Sequence, residues 1–360
     1  MTIASLSARL LTADLHRSWG PGVTANHVVV TTVTAEDGAT GTGFAWTPQI
    51  GARAVLSLLR DDLAPVLPGL PEEPEAVWDG LWKHLHEGGQ GLTTVALAGV
   101  DLALWDLAAR RRGVSVDQLL GRCHQRVQTY GSGVNLHYGV DELADQVRQM
   151  VDAGHSAVKI KVGSPALADD VARVAAVREV LGPDRLLMVD ANQRWDLPTA
   201  VRAVRALERF DLHWVEEPLR ADDLQGHRRL RESTGTPIAL GENVHTAYRV
   251  AEFLRAGAVD VLQPNAVRVG GITPFRRIVT LARAHGVAVA PHLLPDLSAQ
   301  LAVTLPEPVL VEDIHRASFG ALGLLADDGP VELGPGWAAP RGLPGLGLSF
   351  VGGDRARVEV

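Results

Sequence analysis

Lys159 and Lys161 stand two residues apart in the apolar run AVKIKVG. In an extended strand, residues i and i+2 face the same way. Two ammonium groups would then share one patch of space, which like charges resist unless negative charge meets them. Three acids supply it: Asp190 ends LLMVD, Glu216 ends LHWVE and Glu242 follows PIALG. Three carboxylates drawn together do not all stay ionised without a cation. An all-oxygen donor set suits a hard divalent ion that keeps positions open for substrate. Each acid alone reads as a solvated strand end or a salt-bridge partner; three in register read as a metal site. Repulsion and burial both lower a lysine's pKa, so one of the pair becomes neutral near pH 7, the state of a general base. Without the acids, the lysines would read as phosphate or salt-bridge residues.

A repeated unit would place these residues together. From about residue 126, short apolar runs ending in a polar residue alternate with helix-like segments: SAVKIK, LLMVD, LHWVEE, PIALGE, VDVLQPN, VAVAPH and PVLVED. The terminal residues Lys161, Asp190, Glu216, Glu242, Asn265, His292 and Glu312 recur every 20–29 residues, about one β/α unit. The intervening DDVARVAAVREVL and PTAVRAVRALERF carry apolar residues at helical spacing. Runs apolar on both faces belong to a buried parallel sheet. With YGSGVN near residues 130–135 as the first strand, the count reaches eight, a closed β/α barrel whose chemistry sits at the C-terminal strand ends. An open doubly wound sheet is the weaker reading, since no G-x-G-x-x-G follows the first strand. Earlier in the chain, HVVVTTVTAEDGATGTGFAW predicts a hairpin, and several helices run to residue 121. The expected division is an α+β domain over 1–125, a barrel over 126–320, and a Gly/Pro-rich tail over 321–360 that returns to the first domain.

Composition bounds the rest. The 360 residues, 46% apolar and 21% charged, suffice for a well-buried core. A net charge of −8 without any basic run argues against a nucleic-acid or acidic-membrane surface. A single cysteine, Cys123, forms no intrachain disulfide and points to a reducing, cytoplasmic setting. The N-terminus lacks the pattern of a signal peptide. The run VALAGVDLALWDLAA is interrupted by Asp101 and Asp106 and is too short to span a bilayer.

The ordered set K-x-K, VDAN, VEEP, GEN, Asn265 before V-G-G-I-T, PH and VED resembles the enolase superfamily in its mandelate racemase-like branch, and the likeness covers nearly the whole chain. GVDLALWDLAARRRGVSVDQLLG is similar to that family's capping-domain helix. The resemblance implies a modified (β/α)7β barrel with an N-terminal α+β capping domain completed by the C-terminal tail. It implies abstraction of the proton alpha to a carboxylate through an enediolate, with Mg2+ (or Mn2+) as cofactor, the superfamily pattern of a lysine or histidine base beside metal. Carried over by position, Asp190, Glu216 and Glu242 would be the metal ligands, Glu216 being chosen over Glu217 because it ends the strand while Glu217 points away. Lys161 would be a base, with Lys159 binding the substrate carboxylate and depressing Lys161. His292 would be the acid/base on the opposite face, and Glu312 would hydrogen-bond the carboxylate oxygen. Family members form homo-oligomers, and their partners are small carboxylates.

One position departs from the pattern. Where that branch carries an aspartate beside the histidine, this chain has Asn265, which orients an imidazole without supplying charge. Racemisation needs two competent acid/base groups, whereas dehydration needs one base and one acid, so the departure tilts the reading toward a dehydratase of sugar acids or other alpha-hydroxy acids. A racemase or epimerase is the alternative, and a catalytically silent metal-binding barrel is the third. His16, Arg17 and Trp19 in an N-terminal loop, Asn192, and His137, Ser132 and Asn135 near the first barrel strand are further candidates for substrate contact. Trp46, Trp78, Trp82 and Trp105 read as core or interface residues, and Cys123 as structural.

Overall fold

The chain opens with three antiparallel strands, β1 (Ile3–Asp14), β2 (Ala25–Ala35) and β3 (Thr40–Thr47). In the computed structural model, which describes residues 1–20, 22–352 and the backbone of 357–359, β2 and β3 pair as a hairpin from Thr34–Thr40 to His27–Thr47. Against this sheet lies the helix Leu92–Arg111. It is long and apolar enough to cross a membrane, yet 89% of its most apolar stretch is buried inside the protein. The two aspartates that interrupt its apolar run explain why it belongs here. Asp101 accepts the Thr273 N–H at 3.0 Å. Asp106 accepts the N–H groups of Thr42 (2.8 Å) and Leu346 (2.6 Å) and pairs with Arg110. A buried acid is tolerated when such donors meet it.

The second domain is the barrel. Its strands are β4 (Val127–Ser132), β5 (Ala157–Lys161), β6 (Leu186–Asp190), β7 (Leu212–Glu216), β8 (Ile238–Leu240), β9 (Val261–Leu262), β10 (Ala288–Val289) and β11 (Leu310–Ile314). Each pairs in parallel with the next from β4 to β10, and β11 returns to β4, with Leu310 opposite Gln128, to close the ring. Helices follow the first seven strands, from Val140–Asp152 to Pro295–Ala302, and among the described residues none follows β11. The architecture is therefore (β/α)7β. Tyr130, Ala157, Met188, Trp214, Ala239 and Ala290 fill the barrel interior, so it is a packed core beneath a polar mouth.

The tail divides in two, which corrects the expectation that all of 321–360 returns to the capping domain. Strands β12 (Val331–Gly334) and β13 (Trp337–Pro340) form a hairpin, and β13 pairs antiparallel with β4 at Trp337–Gln128. The reason is apolar: Val331 and Ala338 bury against Val127, Val311 and Ala299 at the base of the barrel. Only the later part turns back. The Val116 N–H donates to Gly345, Leu346, Leu348 and Val351 join the core under the N-terminal sheet, and β14 (Arg357–Glu359) pairs with β1. Residues 353–356 and 360 lie outside the described residues.

Where the capping domain meets the barrel, four polar contacts converge on the turn between β9 and its helix. Thr94 Oγ1 lies 2.7 Å from the Arg268 carbonyl, Trp78 Nε1 donates to Gly270, Trp105 Nε1 donates to Thr273 Oγ1, and Asp101 accepts from Thr273. Gly271 makes the approach possible: it has φ 113°, and a Cβ there would sit 2.2 Å from Asp101 Oδ2. Gly271→Ala is expected to cost about 2–4 kcal/mol through strain and overlap. Gly286→Ala, at a left-handed turn with open space around it, should cost about 1 kcal/mol. Chemical unfolding midpoints of the two variants check this; equal losses would mean the turn tolerates a side chain.

Candidate active site

Strand register builds the site. Lys161 is opposite Asp190, and Asp190 is opposite Glu216, so three strand ends lie in one layer with neighbours about 4.8 Å apart. Glu242 follows β8 by two residues, Asn265 and His292 follow β9 and β10 by three, and Glu312 lies within β11. All of these, with Lys159, are at most 9% exposed.

Each lysine meets its own carboxylate. Lys159 Nζ donates to both oxygens of Glu216 (2.9 and 2.8 Å) and to Glu312 Oε1 (2.8 Å), which uses its three protons. Lys161 Nζ donates to Asp190 Oδ2. Lys159 is 1% exposed, and its contacts in this structure are with the carboxylates of Glu216 and Glu312. One expectation is corrected here. Lys161 is not depressed: burial pulls its pKa down most strongly and Lys159 assists, but Asp190, Glu216 and Glu242 outweigh them and the net direction is up.

The acids share the same field. Burial, with Asp190 and Glu312 adding, pushes Glu216 up to about 7 against the pull of Lys159. Its Oε2 also accepts from Gln263 Nε2 at 2.7 Å. Glu312 goes the other way, to about 2: burial raises it, but Lys159 beside it prevails. It accepts from Ser132 Oγ (2.7 Å) and the Leu293 N–H (3.2 Å), so it stands as an ionised acceptor and not as the expected donor to a carboxylate oxygen. Glu217 does not point away. Its φ of 38° breaks the alternation of the strand, and its carboxyl accepts from Asn243 Nδ2 (2.9 Å) and Gln193 Nε2 (3.0 Å). Burial and the nearby Glu242 and Asp190 push it well up.

Ligating atoms of Glu216, Glu242 and His292 lie within 4.8 Å of one another. Asp190, expected in that set, is engaged by Lys161 and by the N–H of Asn192 at 2.7 Å. The hydrogen bonds around His292 bear on the choice between the two sets. Asn265 Oδ1 accepts the N–H groups of Val267 (3.0 Å) and Arg268 (3.1 Å), so Asn265 Nδ2 faces His292 Nδ1, 3.2 Å away. An amide nitrogen donates only, hence Nδ1 accepts and the ring proton sits on Nε2. That Nε2–H donates to Glu242 Oε2 at 2.9 Å and leaves no lone pair for a metal. Asp190, Glu216 and Glu242 remain as the donors that could hold a cation. Their all-oxygen chemistry fits Mg2+ or Mn2+, and a carboxyl held up at about 7 gains from a nearby positive charge.

A cavity of about 430 Å3 opens beside this cluster, reached through Ser132, which bonds Glu312. His16, Arg17 and Trp19 line it together with Tyr138, His315 and Arg316. Arg17 is paired with Glu142 and lies 3.9 Å over the Tyr138 ring. Asn192 is not at this cavity; it binds Asp190. Asn135 is a buried support whose Oδ1 accepts the Lys161 N–H at 3.0 Å, while His137 is exposed beside Tyr138. Trp78 and Trp105 bridge the domains through Gly270 and Thr273, and Trp46 lies under Arg268. Cys123 is exposed, near the carbonyls of Gly121 and Thr304. Sequence reading does not single out Gln263 or Arg268, and it sets Glu217 aside in favour of Glu216. Gln263 stands two residues before Asn265, the same i, i+2 signal that drew attention to the lysines.

Residues 11–121 match the mandelate racemase / muconate lactonizing enzyme N-terminal domain, and residues 142–353 match the enolase C-terminal domain-like family. The chain is 36% identical over 314 residues to the 3,6-anhydro-alpha-L-galactonate cycloisomerase of Streptomyces coelicolor, spanning 87% of this chain and 86% of that one. It is 38% identical over 287 residues to the L-talarate/galactarate dehydratase of Salmonella typhimurium, spanning 79% and 72%. The crystal structure of an L-talarate dehydratase from Polaromonas sp. JS666 complexed with Mg and L-glucarate superposes with a TM-score of 0.89 at 35% identity, covering 99% and 98% of the two chains. Both halves of the fold thus match in chain order, around acids set in one barrel layer, and the chain belongs to the mandelate racemase/muconate lactonizing enzyme family of the enolase superfamily.

Proposed function

We propose that the protein is a Mg2+-dependent dehydratase of sugar acids, with Asp190, Glu216 and Glu242 as the metal-holding residues and Lys161 as the base. The observation that carries the reading is the shared layer of Lys161, Asp190 and Glu216 at the barrel mouth. When bound, Mg2+ supplies the positive charge that a carboxylate needs as a second negative charge develops on it. Lys161 takes the C2 proton. Burial and Lys159 already favour its neutral form, and Asp190 is the first group that opposes them, so engaging Asp190 elsewhere moves Lys161 toward the pKa of a working base. Overall, the C2 proton and the C3 hydroxyl leave as water and a 2-keto-3-deoxy acid remains. Glu312, ionised and held by Lys159, fixes the wall next to the cavity in which His16, Arg17 and Trp19 are proposed to meet the rest of the substrate.

Asn265 favours dehydration over racemisation. Held by two backbone N–H groups, its amide cannot turn to accept a proton from His292, so the imidazole presents Nε2–H as a donor. Such an imidazole polarises an oxygen or hydrogen-bonds a departing hydroxyl, as a neutral histidine does in triosephosphate isomerase. It does not readily accept a proton at Nε2, which a two-base racemase requires. The 36% identity to a 3,6-anhydro-alpha-L-galactonate cycloisomerase over 87% of the chain supports ring opening or closure of a sugar acid as a second reading. A cytoplasmic, homo-oligomeric enzyme belongs to the proposal as well, supported by the lone cysteine and the family's habit.

NMR of the protein with Mg2+ in D2O against a panel of sugar acids tests the reading. A 2-keto-3-deoxy product establishes the dehydratase, inversion at C2 without it establishes the racemase, and a cyclised product establishes the cycloisomerase. Silence across the panel with Mg2+ bound would leave the silent barrel. Two variants probe the residues. Lys161→Met should lower C2 exchange by about 10²–10⁴ while Mg2+ binding survives; retained exchange would remove Lys161 as base. Asn265→Asp gives Nδ1 a proton acceptor and frees Nε2, so His292-dependent C2 exchange should rise at least about tenfold. An unchanged rate would show that Asn265 does not set the tautomer.

A further inference from the structure

Arg268 has no place in the reaction described above, yet it touches more of the site's frame than its neighbours do. Its Nη1 donates to Glu242 Oε2 (3.2 Å), to the Glu242 carbonyl (3.3 Å) and to Asn243 Oδ1 (2.5 Å). The pair is enclosed, with side chains 19% and 8% exposed, unlike a surface pair such as Arg228–Glu232 at 51% and 58%. Glu242 Oε2 therefore carries two donors, Arg268 and the Nε2–H of His292. Among the described residues none donates to Oε1, so the carboxylate is turned with one oxygen committed to protein and the other open. Asn243, the second group on the guanidinium, bonds both oxygens of Glu217.

The main chain of Arg268 is fixed as tightly as its side chain. Its N–H donates to Asn265 Oδ1, the same oxygen that orients the amide against His292. Its carbonyl lies 2.7 Å from Thr94 Oγ1 of the capping-domain helix and 3.2 Å from His245 Nδ1, and its guanidinium carbon is 6.0 Å from the Trp46 ring of β3. A guanidinium stays protonated at any working pH and presents its donors in a fixed plane. A partner of this kind sets the orientation of a ligating carboxylate, and losing it typically weakens metal binding or activity 10–100-fold.

We propose that Arg268 is the positioning residue for Glu242, presenting its free oxygen to the cation, and that the capping domain fixes Arg268 through Thr94 and Trp46. The proposal rests on the metal-holding role given to Glu242 above. Isothermal titration of the full chain with Mg2+, without substrate, is the test. Arg268→Met should weaken Mg2+ binding by about 10–100-fold. Arg268→Lys, which keeps the charge but not the planar reach to both Glu242 and Asn243, should recover part of that loss. Thr94→Val, nearly isosteric, should show a smaller loss in the same direction and carries the test if Arg268→Met does not fold. Arg283→Ala, which removes an exposed pair with Glu307, should bind as wild type. In turnover assays, raising Mg2+ should restore kcat in Arg268→Met, a rescue that general loosening of the fold would not give. Wild-type Mg2+ affinity in both Arg268→Met and Thr94→Val overturns this inference and leaves the metal reading intact; a wild-type chain that binds no Mg2+ overturns both.

Discussion

Buried negative charge at the mouth of a closed barrel is the constraint around which the molecule is organised. Asp190, Glu216, Glu217, Glu242 and Glu312 are all at most 7% exposed. Removing one carboxylate from water costs several kcal/mol even after relaxation, so each must be met by donors or by charge. The protein meets them with the cations Lys159, Lys161 and Arg268, and with His292 as a hydrogen-bond donor to Glu242. Five carboxylates against three fixed cations leave two negative charges over, the charge of one divalent ion. The two acids pushed upward, Glu216 and Glu217, are where that surplus shows in the protein alone. Lys159 is therefore a structural counter-ion: fully enclosed, it cancels part of the repulsion that would otherwise spread Glu216 and Glu312 apart.

The capping domain takes part in the same arrangement. Thr94, Trp78, Asp101 and Trp105 meet the turn that begins at Arg268 and ends at Thr273. The N–H groups of Arg268 and of Val267 just before it hold Asn265, and Asn265 holds His292. A contact between two domains is thus continuous, bond by bond, with His292 beyond the end of β10. Gly271 at the centre of the turn is a condition of that continuity, because only a residue without Cβ admits Asp101 so closely.

Much of this was legible in the sequence because periodicity and register are local properties. The β/α spacing located the barrel, and the i, i+2 lysines and strand-terminal acids located its mouth. What escaped depends on where a chain turns or closes. Glu217 reads as outward by alternation, but a left-handed φ redirects it. Lys159 and Lys161 look equivalent within β5, yet the return of β11 to β4 brings Glu312 over Lys159 alone, which separates a counter-ion from a group at the mouth. The hairpin of β12 and β13 rests on apolar contacts at the barrel base that the Gly/Pro-rich composition of the tail concealed. Gln263 and Arg268 gain their meaning only once Glu216 and Glu242 have positions in space.

Asn265 shows how far one atom's identity carries. An aspartate at this point would offer two acceptor oxygens, and after two backbone N–H groups had been served, an oxygen would still face the imidazole. It would draw the ring proton to Nδ1 and expose a basic Nε2. Asparagine spends its one oxygen on the turn, so the atom left for His292 is a nitrogen, and the proton moves to the far side of the ring. The same substitution that withholds Nε2 as a base also denies it to a metal, since both roles need the same lone pair. On the proposed reading, the oxygen donors then form the cation set and Lys161 is the proton acceptor. The proposed division of labour among metal, base and hydrogen-bond donor rests on which end of one amide the backbone has claimed.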